Sequence, residues 1–114
     1  MLTVKPIENN SEEEIKTLIC RNDEQEAGYI SFRQYGYIID ITDIRPNPAD
    51  NSEIKGEVYT VLDTIIRAMG SYALNHSCFY LESKEASIYP TLEKLRFSFY
   101  DGKMKSNLRR VLGH

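Results

Sequence analysis

The sequence lacks the features that mark several specialised classes of protein. None of its apolar runs approaches the ~20 residues that a membrane-spanning helix requires. The first residues include no basic segment followed by an apolar run, so no secretory signal is expected. The 14 lysine and arginine residues are fewer than the 17 aspartate and glutamate residues, and no basic face stands out along the chain. We therefore expect a cytoplasmic protein that binds neither a membrane nor nucleic acid.

Cysteine and histidine are scarce, which argues against a disulfide framework or a metal centre. The two cysteines, Cys20 and Cys78, lack the short spacing of a metal site. His76 lies close to Cys78, but two side chains do not make a metal site. Two reduced, partly buried thiols are expected instead. Glycine-rich nucleotide loops, nucleophile elbows and metal motifs are missing as well, so no metal is predicted.

The composition that is present fits one globular domain spanning residues 1–114. Apolar residues make up 41% of the chain, an ordinary fraction for a folded protein. A chain of this length buries roughly two-thirds of its unfolded surface, which is enough for a single core. No internal repeat, low-complexity tract or linker marks a second domain.

The longest predicted helix begins near Gly56 and ends around Asn75 and His76. Its apolar residues recur at steps of three and four, which is typical of an amphipathic helix. They are Val58, Val61, Leu62, Ile65, Ile66, Met69, Tyr72 and Ala73. A predicted strand over 37–46 and a polar loop precede this helix. Unpaired backbone N–H groups at a helix start favour an anion, so this stretch resembles an anion site in layout.

Alternating patterns and turn residues predict the strands of a sheet. The predicted strands span residues 2–7, 15–21, 26–33, 37–46, 77–83, 96–100 and 103–111. Short connections, including a turn at Tyr35 and Gly36, make the second to fourth strands an antiparallel meander. The long helix makes 37–46 and 77–83 a right-handed parallel pair. Asp101 and Gly102 predict a hairpin turn between the last two strands.

Two segments allow more than one interpretation. Ser11 and Glu14 fit a capping box, so residues 8–14 either begin a brief helix or form a loop. Residues 85–94 predict a second helix. Pro90 is tolerated there if it lies in the first turn, with the helix beginning near Tyr89.

The order of these elements, with three short segments, resembles the GCN5-related N-acetyltransferases (GNAT). The segments are 27–32 (AGYISF), 40–46 (DITDIRP) and 92–97 (LEKLRF). The resemblance implies an α/β (α+β) fold with a mixed, mostly antiparallel sheet of six to seven strands, a central helix and a C-terminal helix. The N-terminal helices of the family would be reduced, because 8–14 is the segment available for them.

The resemblance also implies acetyl-CoA as co-substrate, held where 37–46 and 77–83 splay apart and where the central helix begins. The cofactor-binding residues that it assigns are Ile44, Arg45, Ile54, Lys55, Gly56, Glu57 and Val58. The family motif, Arg/Gln-x-x-Gly-x-Gly/Ala, aligns with Glu53, Gly56 and Val58, and Gly56 is the residue that matches. Acidic side chains in and beside this motif oppose a pyrophosphate electrostatically.

The resemblance directs attention to Tyr89, Glu82 and Asp40 as catalytic candidates. An amine must lose a proton before it attacks, and Asp40, Asp43 or Glu82 can accept it where burial raises the carboxyl pKa. Leu92 stands where the family often has a proton-donating tyrosine, so Tyr89, about one helical turn earlier, is the candidate acid. A solvated sheet face explains the carboxylates equally well, and a core-edge aromatic explains Tyr89.

Two functions therefore remain open from the sequence. The first is an acetyl-CoA-dependent N-acyltransferase that transfers an acetyl group to an amine of a small molecule or a protein. The alternative is a catalytically inactive GNAT-fold domain that acts as a binding or assembly module. In either case a second copy that covers an open sheet edge would make a homodimer.

Overall fold

The computed structural model describes residues 2–7, 15–46 and 55–107, with the backbone alone for 55–58. Seven strands are present in this part of the chain: β1 (Leu2–Pro6), β2 (Lys16–Asn22), β3 (Gln25–Tyr35), β4 (Ile38–Pro46), β5 (Tyr80–Ser83), β6 (Ser98–Tyr100) and β7 (Lys103–Asn107). The helices are α1 (Lys55–Asn75) and α2 (Tyr89–Lys94), and a 3-10 turn at Ala86–Ile88 precedes α2. None of the described helices is long and apolar enough to cross a membrane.

The strands form one mixed sheet in the order β1-β2-β3-β4-β5-β7-β6. The β4–β5 pair is parallel and the other neighbouring pairs are antiparallel, which confirms the predicted meander and parallel crossover. A parallel pair needs a long connection, and α1 supplies it. The β6–β7 hairpin folds back so that β7 lies between β5 and β6.

One face of the sheet packs against α1 and forms the core. Leu62, Ile65, Ile66, Met69 and Ala73 are buried, as the helical spacing predicts. They meet alternate strand residues in a single cluster with Ile30, Phe32, Ile39, Ile41, Leu81 and Met104. The intervening strand residues, among them Arg33, Asp40, Glu82, Lys103 and Lys105, lie on the opposite side. We call that side the second face of the sheet.

The strands β5 and β6 begin later than predicted, because the residues before them form the C-terminal ends of α1 and α2. After α1, Ser77 has a positive φ of 60°, and the Cys78 N–H donates to Ala73 O at 2.7 Å. After α2, Arg96 has a φ of 72° and the Phe97 N–H donates to Leu92 O at 3.0 Å. Such left-handed termini satisfy the last helical carbonyls. The predictions of strands over 77–79 and 96–97 are therefore wrong.

The turns follow the residues that tolerate a positive φ. Asp101 and Gly102 have φ values of 54° and 80°, as in the predicted two-residue hairpin. The β3–β4 turn lies at Gly36 and Tyr37, one residue later than predicted, because Tyr35 still pairs with Ile38. The helix α2 begins at Tyr89, so Pro90 lies in its first turn. Segment 8–14 and the end of the predicted last strand lie outside the described residues.

Candidate functional site

The parallel strands β4 and β5 pair over a short distance and then separate. Their register ends with Asp40 opposite Glu82, and β5 stops at Ser83, whereas β4 continues to Pro46. In the described part of the chain, no strand pairs with residues 42–46 of β4 on the β5 side. We call this gap the β4–β5 notch. Its walls are β4 residues 42–46 and the chain from Ser83 onward.

A β-bulge helps to open the notch. The β3–β4 register shifts by one residue and leaves Thr42 as an extra residue in β4. The alternation of buried residues changes phase there, since Ile39, Ile41 and Ile44 are all buried. A bulge bends its strand and increases the local twist. The second half of β4 is thereby free to turn away from β5 while Ile44 still packs in the core.

Ser83 closes the end of the parallel pair with its side chain. It is fully buried, and its Oγ donates to Ile41 O at 2.8 Å. The same Oγ accepts a hydrogen bond from the Glu85 N–H at 3.1 Å. The Ser83 side chain thus links β4 and β5 at the position where a further backbone hydrogen bond would otherwise form. Sequence reasoning missed this role, although alternation with Leu81 does place Ser83 on the buried side of β5.

Four charged residues lie in one line across the second face. The strand register places Arg33 opposite Asp40, Asp40 opposite Glu82, and Glu82 opposite Lys105. Arg33 Nε is 3.9 Å from Asp40 Oδ2, and Lys105 Nζ is 3.8 Å from Glu82 Oε1. Lys103 Nζ adds a further contact, 3.6 Å from Glu82 Oε2. We call Arg33, Asp40, Glu82 and Lys105 the charge row.

The two predicted bases share a cleft on the second face. The cleft has a volume of about 470 Å³, and Asp40 and Glu82 line it together with Arg33, Thr42 and Lys103. It reaches the bulged residue of β4, so it adjoins the notch. Sequence reasoning named both carboxylates, but their adjacency follows from the parallel register.

Asp40 has the electrostatic character of a proton acceptor. Burial raises the pKa of its carboxyl group above the ordinary value, and the neighbouring Glu82 charge acts in the same direction. The Arg33 and Lys84 charges lower the pKa and partly offset that rise. A carboxylate with a raised pKa holds a proton more readily than an exposed one, which suits a general base.

The third candidate base, Asp43, is engaged in hydrogen bonds. Tyr29 donates its hydroxyl to Asp43 Oδ2 at 2.7 Å, and Arg45 Nε donates to Asp43 Oδ1 at 3.1 Å. The bond to Asp43 raises the pKa of the Tyr29 hydroxyl, because the phenol form is the donor. Asp43 is therefore tied to Tyr29 and Arg45, and it is not among the residues that line the cleft.

Tyr89 lies in a different environment from the two carboxylates. It is the first residue of α2, packs against the core, and meets the Phe99 ring edge-on at 5.7 Å. It is not among the residues that line the cleft. Leu92, at the position of the family's tyrosine, is fully buried. The structure thus brings Asp40 and Glu82 together and leaves Tyr89 outside the cleft.

The predicted cofactor residues lie before, within and after residues 47–54, which are outside the described residues. Ile44 is buried in the core, and Arg45 is exposed on β4. Lys55 begins α1, so 55–58 forms its first turn, whose side chains are outside the description. Ile54 lies outside the described residues. The first turn of α1 nevertheless provides backbone N–H groups that its own helix does not use.

Comparison with solved structures identifies the fold. Tetrahymena GCN5 is 13% identical over 87% of this chain and 71% of that chain, with a TM-score of 0.57. A Bacillus subtilis acetyltransferase in complex with CoA is 11% identical over 92% of this chain and 96% of that chain, with a TM-score of 0.59. The PaiA N-acetyltransferase from Thermoplasma acidophilum, in complex with coenzyme A, is 11% identical over 83% and 60%, with a TM-score of 0.55.

No family model matches the sequence, and no curated protein matches it significantly. At identities of 9–15%, the structural likeness establishes the fold. The chain adopts the GNAT fold, which confirms the predicted resemblance and the predicted mixed, mostly antiparallel sheet.

Proposed function

We propose that this protein transfers an acetyl group from acetyl-CoA to an amine. The observation that carries the proposal is the junction of the β4–β5 notch with a cleft that holds Asp40 and Glu82. The structures of similar fold that contain CoA support a CoA-type ligand. Because those structures are named as acetyltransferases, the inactive alternative is not favoured.

The described residues fit the chemistry of this ligand. Backbone groups on the unpaired side of β4, between Thr42 and Pro46, have no strand partner among the described residues and suit the amides of a pantetheine chain. The first turn of α1, with Gly56, offers N–H groups and the positive end of the helix dipole to a pyrophosphate. Acetyl-CoA, when bound, supplies an acetyl thioester.

The charged residues of the cleft prepare the amine. Asp40 and Glu82 attract the ammonium form, and Asp40 takes one of its protons. The free nitrogen pair then forms a C–N bond to the acetyl carbon while the C–S bond breaks. The sulfur leaves with the electron pair as the CoA thiolate. The nitrogen then loses its second proton, which passes to the thiolate, so that the products are the amide and the free thiol of CoA. Tyr89 remains the predicted donor of a proton to sulfur, and Tyr89→Phe tests that role.

Calorimetry tests the cofactor part of this proposal. We expect acetyl-CoA and CoA to bind with measurable heat and to raise the melting temperature, since a ligand at about 100 times its Kd adds roughly 2.7 kcal/mol to stability. Gly56→Asp is expected to abolish binding, because it adds a negative charge where the pyrophosphate lies. Gly102→Asp in the distant β6–β7 turn is the matched control and is expected to bind normally. Absence of binding at millimolar ligand would refute the proposal.

A further inference from the structure

The charge row has an order that a simple ion-paired surface does not require. Across four neighbouring strands the charges read plus, minus, minus, plus, from Arg33 through Asp40 and Glu82 to Lys105. Like charges directly opposite on neighbouring strands are destabilising. The two carboxylates in the middle are also largely buried, with side chains 16% and 12% exposed. A cation between them would relieve their repulsion.

The N–O distances of the ion pairs within the row are too long for direct hydrogen bonds, so the charged groups keep hydrogen-bonding capacity for a ligand. The Arg33–Asp40 contact is 3.9 Å, and the contacts of Glu82 with Lys103 and Lys105 are 3.6 and 3.8 Å. Direct hydrogen bonds between such charged groups are about 2.7–2.9 Å long. For comparison, the Arg67–Asp63 pair on the surface of α1 is 2.9 Å.

Arg33 carries an unused donor. Its Nε is buried and has no hydrogen-bond partner among the residues that the structure describes. A guanidinium group is shaped to bind a carboxylate with two parallel hydrogen bonds. Arg33 lines the same cleft as the two carboxylates, one strand away from Asp40. The Arg33 side chain as a whole is 36% exposed, so an anionic group of a ligand can reach its guanidinium group.

The cleft is lined by equal numbers of positive and negative side chains, and this balance favours some amine acceptors over others. Its lining includes three cationic side chains, Arg33, Lys84 and Lys103, and three acidic ones, Asp40, Glu82 and Glu85. A polyamine would meet cations on both sides of the carboxylates. A ligand with one ammonium and one carboxylate would match both signs of charge at once.

We propose that the amine acceptor is a compact zwitterion, an amino acid with its amino group at Asp40 and Glu82 and its carboxylate at Arg33. Neighbouring strands lie about 4.8 Å apart, so one small molecule spans these groups. The proposal rests on the acetyl-transfer function of the same site. It adds the class of acceptor and the residue that selects it.

Steady-state kinetics with matched acceptors test the selection. The assay follows thiol release from acetyl-CoA with each common L-amino acid, with the corresponding amino-acid amides, and with spermidine. We expect the best amino acid to have a kcat/KM at least tenfold above that of its amide. Arg33→Gln is expected to raise KM for the amino acid at least tenfold more than KM for the amide, with Arg33→Lys giving partial recovery. Arg67→Gln is the control and is expected to change neither.

Direct binding separates the two proposals. Saturation-transfer NMR with the same amino acids and amides needs no acetyl-CoA. If acetyl-CoA fails to bind while an amino acid binds in an Arg33-dependent manner, the transfer function is wrong and the zwitterion site stands. Preference for amides or spermidine, equal effects of Arg33→Gln on both acceptor classes, or binding of no amino acid would overturn the zwitterion site.

Discussion

Asp40 combines a half-buried position with a role that needs charge. Its neighbours in β4, Ile39 and Ile41, are fully buried on the α1 side, while Asp40 turns to the cleft with Arg33 and Glu82 beside it. Because burial is the largest cause of its raised pKa, the carboxylate form is less favourable in the fold than in the unfolded chain. Two measurable consequences follow, one in catalysis and one in stability.

In catalysis, Asp40→Asn removes the proton acceptor but keeps the shape of the side chain. We expect kcat for acetyl transfer to fall by roughly 10²- to 10⁴-fold, the usual contribution of a general base. The affinity for acetyl-CoA measured by calorimetry should not change. Asp63→Asn on the outer surface of α1 provides the control, and a variant at Asp40 with normal kcat would exclude this residue as the base.

In stability, the same variant tests the sign of the pKa shift. A carboxyl group whose pKa is raised by folding costs no stability below its unfolded pKa, near the ordinary value of 3.8. The cost appears as the pH rises through the raised value. We therefore expect Asp40→Asn to gain melting temperature relative to the natural protein between acidic pH and pH 7. Thermal denaturation across this range measures the difference, and a loss that grows with pH would contradict it.

Two buried serines in adjacent strands offer a matched comparison. Ser83 Oγ joins Ile41 O and the Glu85 N–H, whereas Ser106 Oγ is buried without a partner among the described residues. Loss of a buried partner costs about 1–3 kcal/mol, so Ser83→Ala should lower the free energy of unfolding by that amount. Ser106→Ala should be neutral or stabilising. Urea denaturation that gave equal losses would show that Ser83 does not bridge the strands.

At the scale of elements, the contact between β3, β4 and α1 depends on one glycine. A Cβ added to Gly28 would lie 2.7 Å from Arg45 O and 3.0 Å from Ile65 Cδ1. The first of these atoms is backbone and cannot move without moving the end of β4, which borders the notch. Added volume at Gly28 would therefore press on the end of β4 and on α1 together.

Gly28→Ala tests this dependence. We expect a loss of about 1–3 kcal/mol in the free energy of unfolding from overpacking, with amide NMR shifts in β4 and α1. Gly36→Ala is the comparison, because its φ of 56° is strained for alanine while an added Cβ meets nothing within 4 Å. We expect Gly36→Ala to lose about 1–2 kcal/mol in the free energy of unfolding, with amide NMR shifts confined to residues near the turn. Shifts of Gly28→Ala confined to β3 would contradict the coupling.

At the scale of the whole molecule, the ends of the sheet bear on assembly. The strand β6 is an edge strand, and Phe99 and Tyr100 on it are 62% and 69% exposed. Exposed apolar edges favour pairing with another chain. The homodimer expected from the sequence remains a prediction, and this edge is one part of the described surface that suits it.

Sedimentation velocity over a range of protein concentrations measures the association. We expect a dimer that Phe99→Ser weakens, because the substitution removes apolar area from the edge. Tyr59→Ser replaces an exposed aromatic residue on α1 and should not alter the association. A monomer at every concentration would refute the predicted homodimer.

The order of the elements and most of the fold follow from local patterns along the chain. The spacing of Leu62, Ile65, Ile66 and Met69 specifies one helix face, and the Asp101–Gly102 pair specifies a hairpin, because these signals lie within a few residues of each other. The resemblance to the GNAT family also rests on the order of these elements and on patterns within short segments. Asp40 and Glu82 were found as candidates for that reason, each from its own strand.

The arrangement of the candidate site follows from the pairing of strands that are distant in the sequence. The charge row joins Arg33, Asp40, Glu82 and Lys105 through three strand registers, and no pattern within one segment encodes such long-range pairing. The bulge at Thr42 and the bridge from Ser83 to Ile41 O also depend on neighbouring strands. Local periodicity therefore fixes which residues face the second side of the sheet, and register fixes which of them meet.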